Sequence, residues 1–220
     1  MEAVLTEAGL AHACNSLARR DPDLGRILET HGYPPFWSRE PGFPTLLHII
    51  LEQQVSLASA RAAFEKLGQR LGEVTPERFL TLNDEELKAC FFSRQKTRYG
   101  RALAEAVASG ALNLEALTHQ PDEVVRAALV HLPGIGTWTA DVYRMMALRR
   151  PDVFPLGDLA AVNALKSAKR LPRNTPREAL AAIAETFRPH RTAATFLLWH
   201  HYLREREKVQ KEKQEMRNQK

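Results

Sequence analysis

Apolar positions along the chain return at intervals of three and four rather than two. Leu46, Ile49 and Ile50 form one such stripe, and Val124, Ala127, Ala128 and His131 a second. That spacing places side chains on one face of an α-helix, and no segment alternates convincingly enough for a half-buried strand. Helix starts recur as a capping residue followed by proline or acids: Thr75-Pro76-Glu77, Asn83-Asp84-Glu85-Glu86 and Thr175-Pro176-Arg177-Glu178. A capping oxygen serves the orphan N–H groups, and first-turn acids complement the helix dipole. The pattern predicts an all-α protein of roughly ten short helices. Before Phe43 the turn-formers Gly32, Pro34, Pro35, Pro41, Gly42 and Pro44 predict an irregular crossing.

Composition narrows the class. A chain of 220 residues with 44% hydrophobic content can bury a core of its own. Apolar runs such as LLHIIL are far short of the ~20 residues that span a bilayer, and the start MEAVLTEAGL lacks a basic leader. An intracellular protein of the cytoplasm or nucleoid, with no membrane partner and acting as a monomer, is expected. Cys14 and Cys90 stand far apart and outside any C-x-x-C spacing, so neither a disulfide framework nor an iron–sulfur cluster is supported. The formal charge is +5, of which the tail from Arg204 carries +3 through seven Lys/Arg against four Glu. Net charge is therefore weak evidence for nucleic acid, and local features must carry that reading. The tail, 205–220, reads either as a solvated, frayed end or as an extension of the last helix. His200 and His201 are adjacent and show no metal-ligand spacing.

The local features lie between His131 and Leu165. In Leu132-Pro133-Gly134-Ile135-Gly136, proline ends one helix, and the glycines permit positive φ or close backbone approach. Thr137-Trp138-Thr139 then opens the next helix. Free N–H groups at a helix start suit a phosphate oxygen, although such a turn also serves as a plain helix–helix connection. Downstream, Asp158 follows Gly157 at the head of an apolar run. It can cap a helix, and capping does not exclude chemistry.

LPGIGTWTAD resembles the hairpin of the helix-hairpin-helix DNA glycosylase superfamily, whose signature couples a Gly/Pro-rich loop to an aspartate. Asp158, 20 residues beyond Trp138 in the setting FPLGDLA, is similar to that aspartate. Ile50-Leu51-Glu52-Gln53-Gln54-Val55-Ser56 and Phe187-Arg188-Pro189-His190-Arg191 running to Leu198-Trp199 resemble blocks of the alkylated-base branch, the 3-methyladenine DNA glycosylase II type.

The resemblance implies a compact fold of two helical subdomains, about 44–130 and 1–43 with 137–204, joined by a hairpin at about 131–137 with a base cleft between them. It implies base flipping from double-stranded DNA and hydrolysis of the N-glycosidic bond, opening base excision repair. Asp158 is the catalytic carboxylate, because cleavage builds positive charge on the sugar. Trp138, Trp199, Phe36 and Trp37 are candidates for the base pocket, since a ring-methylated base is electron-poor and stacks well on aromatic faces. Gln54 is the wedge that fills the emptied stack. Gly134, Gly136, Thr137 and Thr139 would hold phosphate, and the carbonyls of Val130, Leu132 and Ile135 a Na+ or K+ ion. No cofactor is expected for the chemistry. Trp138 stands where strand-cutting relatives carry a lysine nucleophile, which implies no lyase step. Val142, where some relatives have an aromatic residue, leaves the substrate range open. Deaminated or mismatched bases remain the rival substrates, and a non-catalytic damage-binding module the rival class.

Overall fold

A computed structural model describes residues 4–218. Among them thirteen helices and no strand occur, so the all-α expectation holds with shorter and more numerous elements. Contacts divide the described residues into two compact units, one formed by Ser38–Leu148 and the other by 4–37 with 149–218. No helix among the described residues is long and apolar enough to cross a membrane.

The chain enters through α1 (Glu7–Arg20) and α2 (Pro22–His31). Asp21 makes the joint: its backbone closes α1, its side chain accepts from the N–H groups of Asp23 and Leu24, and Pro22 presets the first turn of α2. Its other carboxylate oxygen pairs with Lys169 at 2.6 Å. Residues 32–42 are non-helical, as the turn-formers require.

The helices that follow build the first unit. α3 (Phe43–Glu52) is apolar nearly all round and buries Leu46, Leu47, Ile49, Ile50 and Leu51 completely. A helix hydrophobic on every face belongs inside. Its last turn is closed by the Lys96 ammonium, which donates to the Leu51 carbonyl and so meets the negative end of the dipole. α4 (Leu57–Leu71) and α7 (Arg94–Ala108) pack against it, and α5 (Pro76–Thr81) and α6 (Asp84–Ala89) pack on α7. Thr75 caps α5, and Asn83 with Glu86 forms a reciprocal capping box on α6. The short α8 (Leu114–Leu117), α9 (Asp122–Val130) and α10 (Thr137–Met146) complete the unit.

In the second unit α13 (Arg191–Asn218) packs on α1, α2 and α11 (Leu159–Ala168), and α11 also meets α2; α12 (Arg177–Glu185) lies in the same unit. Arg191, at the head of α13, grips Asp152 (Nε–Oδ1 2.8 Å) and Glu185 (2.6 Å), while Thr192 donates to the Arg150 carbonyl at 2.6 Å.

Three expectations need correction. The unit boundary falls after α10 rather than at the hairpin, because Tyr143 accepts from the Gly42 N–H at 3.0 Å and Arg144 pairs with Asp122 at 2.6 Å. The face of α9 that is buried is Val125 and Leu129. The stripe Ala127, Ala128 and His131 instead borders an open hollow of about 330 Å³ with Ala106, Leu112 and Leu132, since apolar residues cover more of this helix than its core contact uses. Helix α12 begins one residue late, with Pro176 rather than Thr175 at the cap, and the Thr175 hydroxyl turns back to the Pro172 carbonyl. Of the two readings of the charged tail, extension of the last helix is the one seen: α13 runs to Asn218 and is exposed from Leu203 to Arg217.

Candidate active site

In the second unit, the turn Phe154-Pro155-Leu156-Gly157 is closed by the Asp158 N–H donating to the Pro155 carbonyl (2.8 Å), which brings Asp158 to the head of α11. Its Oδ1 accepts from the Ala161 N–H at 2.8 Å, the N-cap bond of that helix, and from the Trp199 indole Nε1–H at 3.0 Å. Two donors from two helices thus fix one carboxylate oxygen, and Asp158 is only partly buried. The next residue, Leu159, is 78% exposed, an apolar side chain turned to solvent beside the carboxylate.

Trp199 belongs to an aromatic cluster. It stacks on Phe196, with centroids 5.7 Å apart and planes at 21°, and meets Trp37 edge-on at 6.0 Å. Trp37 also meets Phe196 edge-on at 5.4 Å. Offset and edge-to-face contacts of this kind hold rings in defined orientations. Of the four predicted pocket aromatics, the structure therefore brings Trp37 and Trp199 together, and of these Trp199 bonds to Asp158. Phe36 is half-buried next to Trp37 in sequence. Trp138 lies in the first turn of α10, in the other unit, and is also half-buried.

The hairpin between α9 and α10 is held from behind. Gly134 has φ +85°, and a Cβ there would lie 2.1 Å from Cγ of Tyr99. Glycine is therefore required by a ring pressed against the turn as well as by the backbone angle. The Gln53 amide, at the end of α3, donates to the Gly134 carbonyl at 2.8 Å and to Thr139 Oγ1 at 2.9 Å. Thr139 is only 1% exposed, so its side chain is an internal brace, and a phosphate could meet this residue only through its backbone N–H. Gly136 and Thr137 are the exposed members. Gly136 is the N-cap of α10 with φ −88°, offers no side-chain cap, and has nothing within 4 Å of an added Cβ. Leu132 O accepts from the Ile135 N–H at 3.1 Å, and a carbonyl keeps a second lone pair with which Leu132, like Val130 and Ile135, could serve a monovalent cation.

Gln54 is exposed and sits at φ +58° immediately after α3. A non-glycine residue in that region costs on the order of 1–3 kcal/mol, and such positions cluster at functional sites. Beside it, Val55 shares a hollow of about 320 Å³ with Phe91 and Lys96. Phe91 is 61% exposed at φ +65°.

Two other carboxylates are engaged in ion pairs: Asp141 pairs with Arg144 at 3.1 Å, and Asp152 with Arg188 and Arg191. Burial pushes Asp141 above the ordinary carboxylate range, against the opposing pull of Arg144. Burial also pushes the Cys14 thiol up to about 12, consistent with an inert filler.

Sequence reasoning missed Gln53, Tyr99, Phe91, Leu159 and Phe196. The signal for Gln53 was present in the Gln53-Gln54 pair, but spacing does not tell which amide turns inward. The isolated exposure of Phe91 and Leu159 left no sequence signal.

Comparison with known proteins places these features in company. Residues 47–189 match the family model described as HhH-GPD superfamily base excision DNA repair protein. DNA-3-methyladenine glycosylase 1 of Schizosaccharomyces pombe is 30% identical over 190 residues, covering 83% of this chain and 83% of that protein. A DNA-3-methyladenine glycosylase of Bacillus subtilis is 27% identical over 199 residues. The chain spans 64% of the length of that protein and of a second B. subtilis relative. Among solved structures, the S. pombe 3-methyladenine DNA glycosylase in complex with abasic DNA superposes with a TM-score of 0.80 at 29% identity, over 86% of this chain and 95% of that one.

Proposed function

The chain belongs to the HhH-GPD superfamily of base excision DNA repair proteins, and from that premise we propose that it is a monofunctional DNA glycosylase for alkylated bases. The observation that carries the reading is the pair of donors on Asp158 Oδ1, one of them the indole of the stacked Trp199. This bond couples a ring suited to holding an electron-poor base with a carboxylate suited to the sugar beside it.

Double-stranded DNA would be gripped by phosphate at the α10 start, where the N–H groups behind Gly136 and Thr137 meet the positive end of the helix dipole. A Na+ or K+ ion on the carbonyls of Val130, Leu132 and Ile135 would supply one further positive charge toward that phosphate. Gln54, presented by its left-handed backbone, would enter the stack vacated by the flipped base, with exposed Phe91 offering an apolar wedge from the same unit. A base alkylated on a ring nitrogen, of the 3-methyladenine or 7-methylguanine kind, would stack on the faces of Trp199 and Trp37 through cation–π attraction.

The C1′–N bond then breaks with its electron pair moving to the base nitrogen. The Asp158 carboxylate stabilises the positive charge left on the sugar. A water oxygen bonds to C1′ and passes its proton to the Asp158 carboxylate, leaving an abasic site and the free base. Trp138 has no amine to attack C1′, so no Schiff base forms and the strand stays intact.

Base release from methylated duplex DNA by wild-type protein and Asp158→Asn tests this reading. Asparagine still accepts the two hydrogen bonds, so folding and DNA binding are retained, while base release falls by at least about 100-fold. Strand breaks appear only after alkali. A variant as active as wild type overturns the assignment of Asp158, binding without base release favours a damage-binding module, and breaks without alkali reveal a lyase.

A further inference from the structure

One cluster of donors in the second unit has no part in that reaction. His31 is the last residue of α2, and His201 and Glu205 stand one turn apart on α13, a spacing that puts both on one face. One ligand atom from each of the three lies within 4.8 Å of the others. His31 Nε2 is 3.1 Å from His201 Nδ1 and 4.0 Å from Glu205 Oε1. Two ligands held about 2.0–2.1 Å from a tetrahedral zinc are separated by roughly 3.3–3.4 Å, so these separations bracket what an ion needs, and small rotamer shifts would close the set.

The arrangement is built rather than incidental. His200, 5% exposed, donates from Nε2 to the His31 carbonyl at 3.0 Å, which fastens the end of α2 to α13 independently of the His31 ring. The His31 ring lies tilted against that of His201, with centroids 5.3 Å apart. The neighbouring Arg204 is the opposing charge, and its guanidinium pairs with Glu207 at 3.3 Å.

We propose that His31 Nε2, His201 Nδ1 and the Glu205 carboxylate bind a first-row divalent cation of the zinc class, with water as the fourth ligand, and that the ion clips the end of α2 to α13. Two imidazoles and a carboxylate are a borderline donor set that favours such ions over calcium or magnesium. The inference does not depend on the glycosylase reading, because neither the ligands nor the test involves DNA.

The full chain, freed of any tag and stripped with a chelator, is titrated with Co2+ followed by visible absorption and with Zn2+ followed by calorimetry. The expected result is one ion per chain, d–d bands of four-coordinate cobalt without a thiolate charge-transfer band, and displacement of cobalt by zinc. At zinc near 100 times its dissociation constant the melting temperature rises by about 5–10 °C. His201→Gln lowers affinity at least tenfold and removes the shift, while its metal-free melting temperature stays near that of the wild type. Glu205→Gln, at a side chain 52% exposed, gives the same comparison should the first variant fold poorly. No binding, six-coordinate cobalt, or an equal shift in both variants overturns the site and leaves a hydrogen-bonded histidine pair.

Discussion

Substituting the two hairpin glycines one at a time separates what the turn needs to fold from what it needs to hold DNA. Gly134→Ala forces a Cβ to within 2.1–2.5 Å of three Tyr99 ring atoms, at a backbone φ of +85°. The left-handed conformation costs alanine about 1–2 kcal/mol, and displacing a packed ring costs about 1–3 kcal/mol more. Tyr99 is only partly buried and its hydroxyl accepts from Gln95 at 2.7 Å, so the ring can swing outward, which places the total near 2–4 kcal/mol. For a chain of this size that corresponds to a melting temperature about 5–15 °C lower. Gly136→Ala meets nothing within 4 Å, and its φ of −88° suits any residue, so stability changes by less than about 1 kcal/mol. If phosphate approaches the backbone there, the added methyl weakens binding to duplex DNA by about five- to tenfold, or roughly 1–1.4 kcal/mol. Calorimetric melting and fluorescence anisotropy with a labelled duplex read the two effects. An unchanged melting temperature for Gly134→Ala would refute the steric account of that glycine, and full DNA affinity for Gly136→Ala would refute phosphate contact at the α10 start.

Two further substitutions test the second unit. Trp199→Phe keeps a stacking ring on Phe196 and Trp37 but removes the Nε1–H bond to Asp158; single-turnover base release falls about 10- to 100-fold, the worth of a hydrogen bond to a charged group, with DNA affinity little changed. Lys169→Met tests pH dependence. The hydrogen bond from Lys169, opposed by burial, holds Asp23 below its usual 3.8, so this contribution is present above 3.8 and is lost as pH falls through the lower folded value. Melting temperatures across the acid range will show the gap between wild type and variant narrowing below pH 4; a gap independent of pH refutes the linkage.

The capping vocabulary of this fold was legible in sequence, and Thr75 and Asn83 cap as their spacing predicts because an N-cap is decided by its own next three residues. Legibility failed where two surfaces compete. In α9 apolar residues cover more than one face, and periodicity alone chose Val124, which is exposed, over Val125, which is buried. Thr139 and Thr137 look equivalent in the hairpin motif, yet Thr139 turns inward onto the amide of Gln53, 86 residues upstream. His200 and His201 diverge around α13 as their adjacency requires, but one reaches the backbone of His31 and the other its ring, a pairing across 170 residues that no local spacing encodes.

Asp158 shows why sequence could name a residue without deciding its work. A helix N-cap and a charge-stabilising carboxylate ask for the same side chain at the same place, ahead of an apolar helix, and the cap bond to Ala161 satisfies the first reading completely. What the cap does not explain is the second donor on the same oxygen, brought from α13 across 41 residues. A structural cap gains little from an indole, because one acceptor already serves the helix start. A carboxylate that must stay in one orientation while charge develops beside it does gain, since preorganised donors cost no reorganisation at the moment of reaction. Asparagine preserves both hydrogen bonds and removes only the charge, so it distinguishes a cap from a catalyst where alanine, which removes all three, would not.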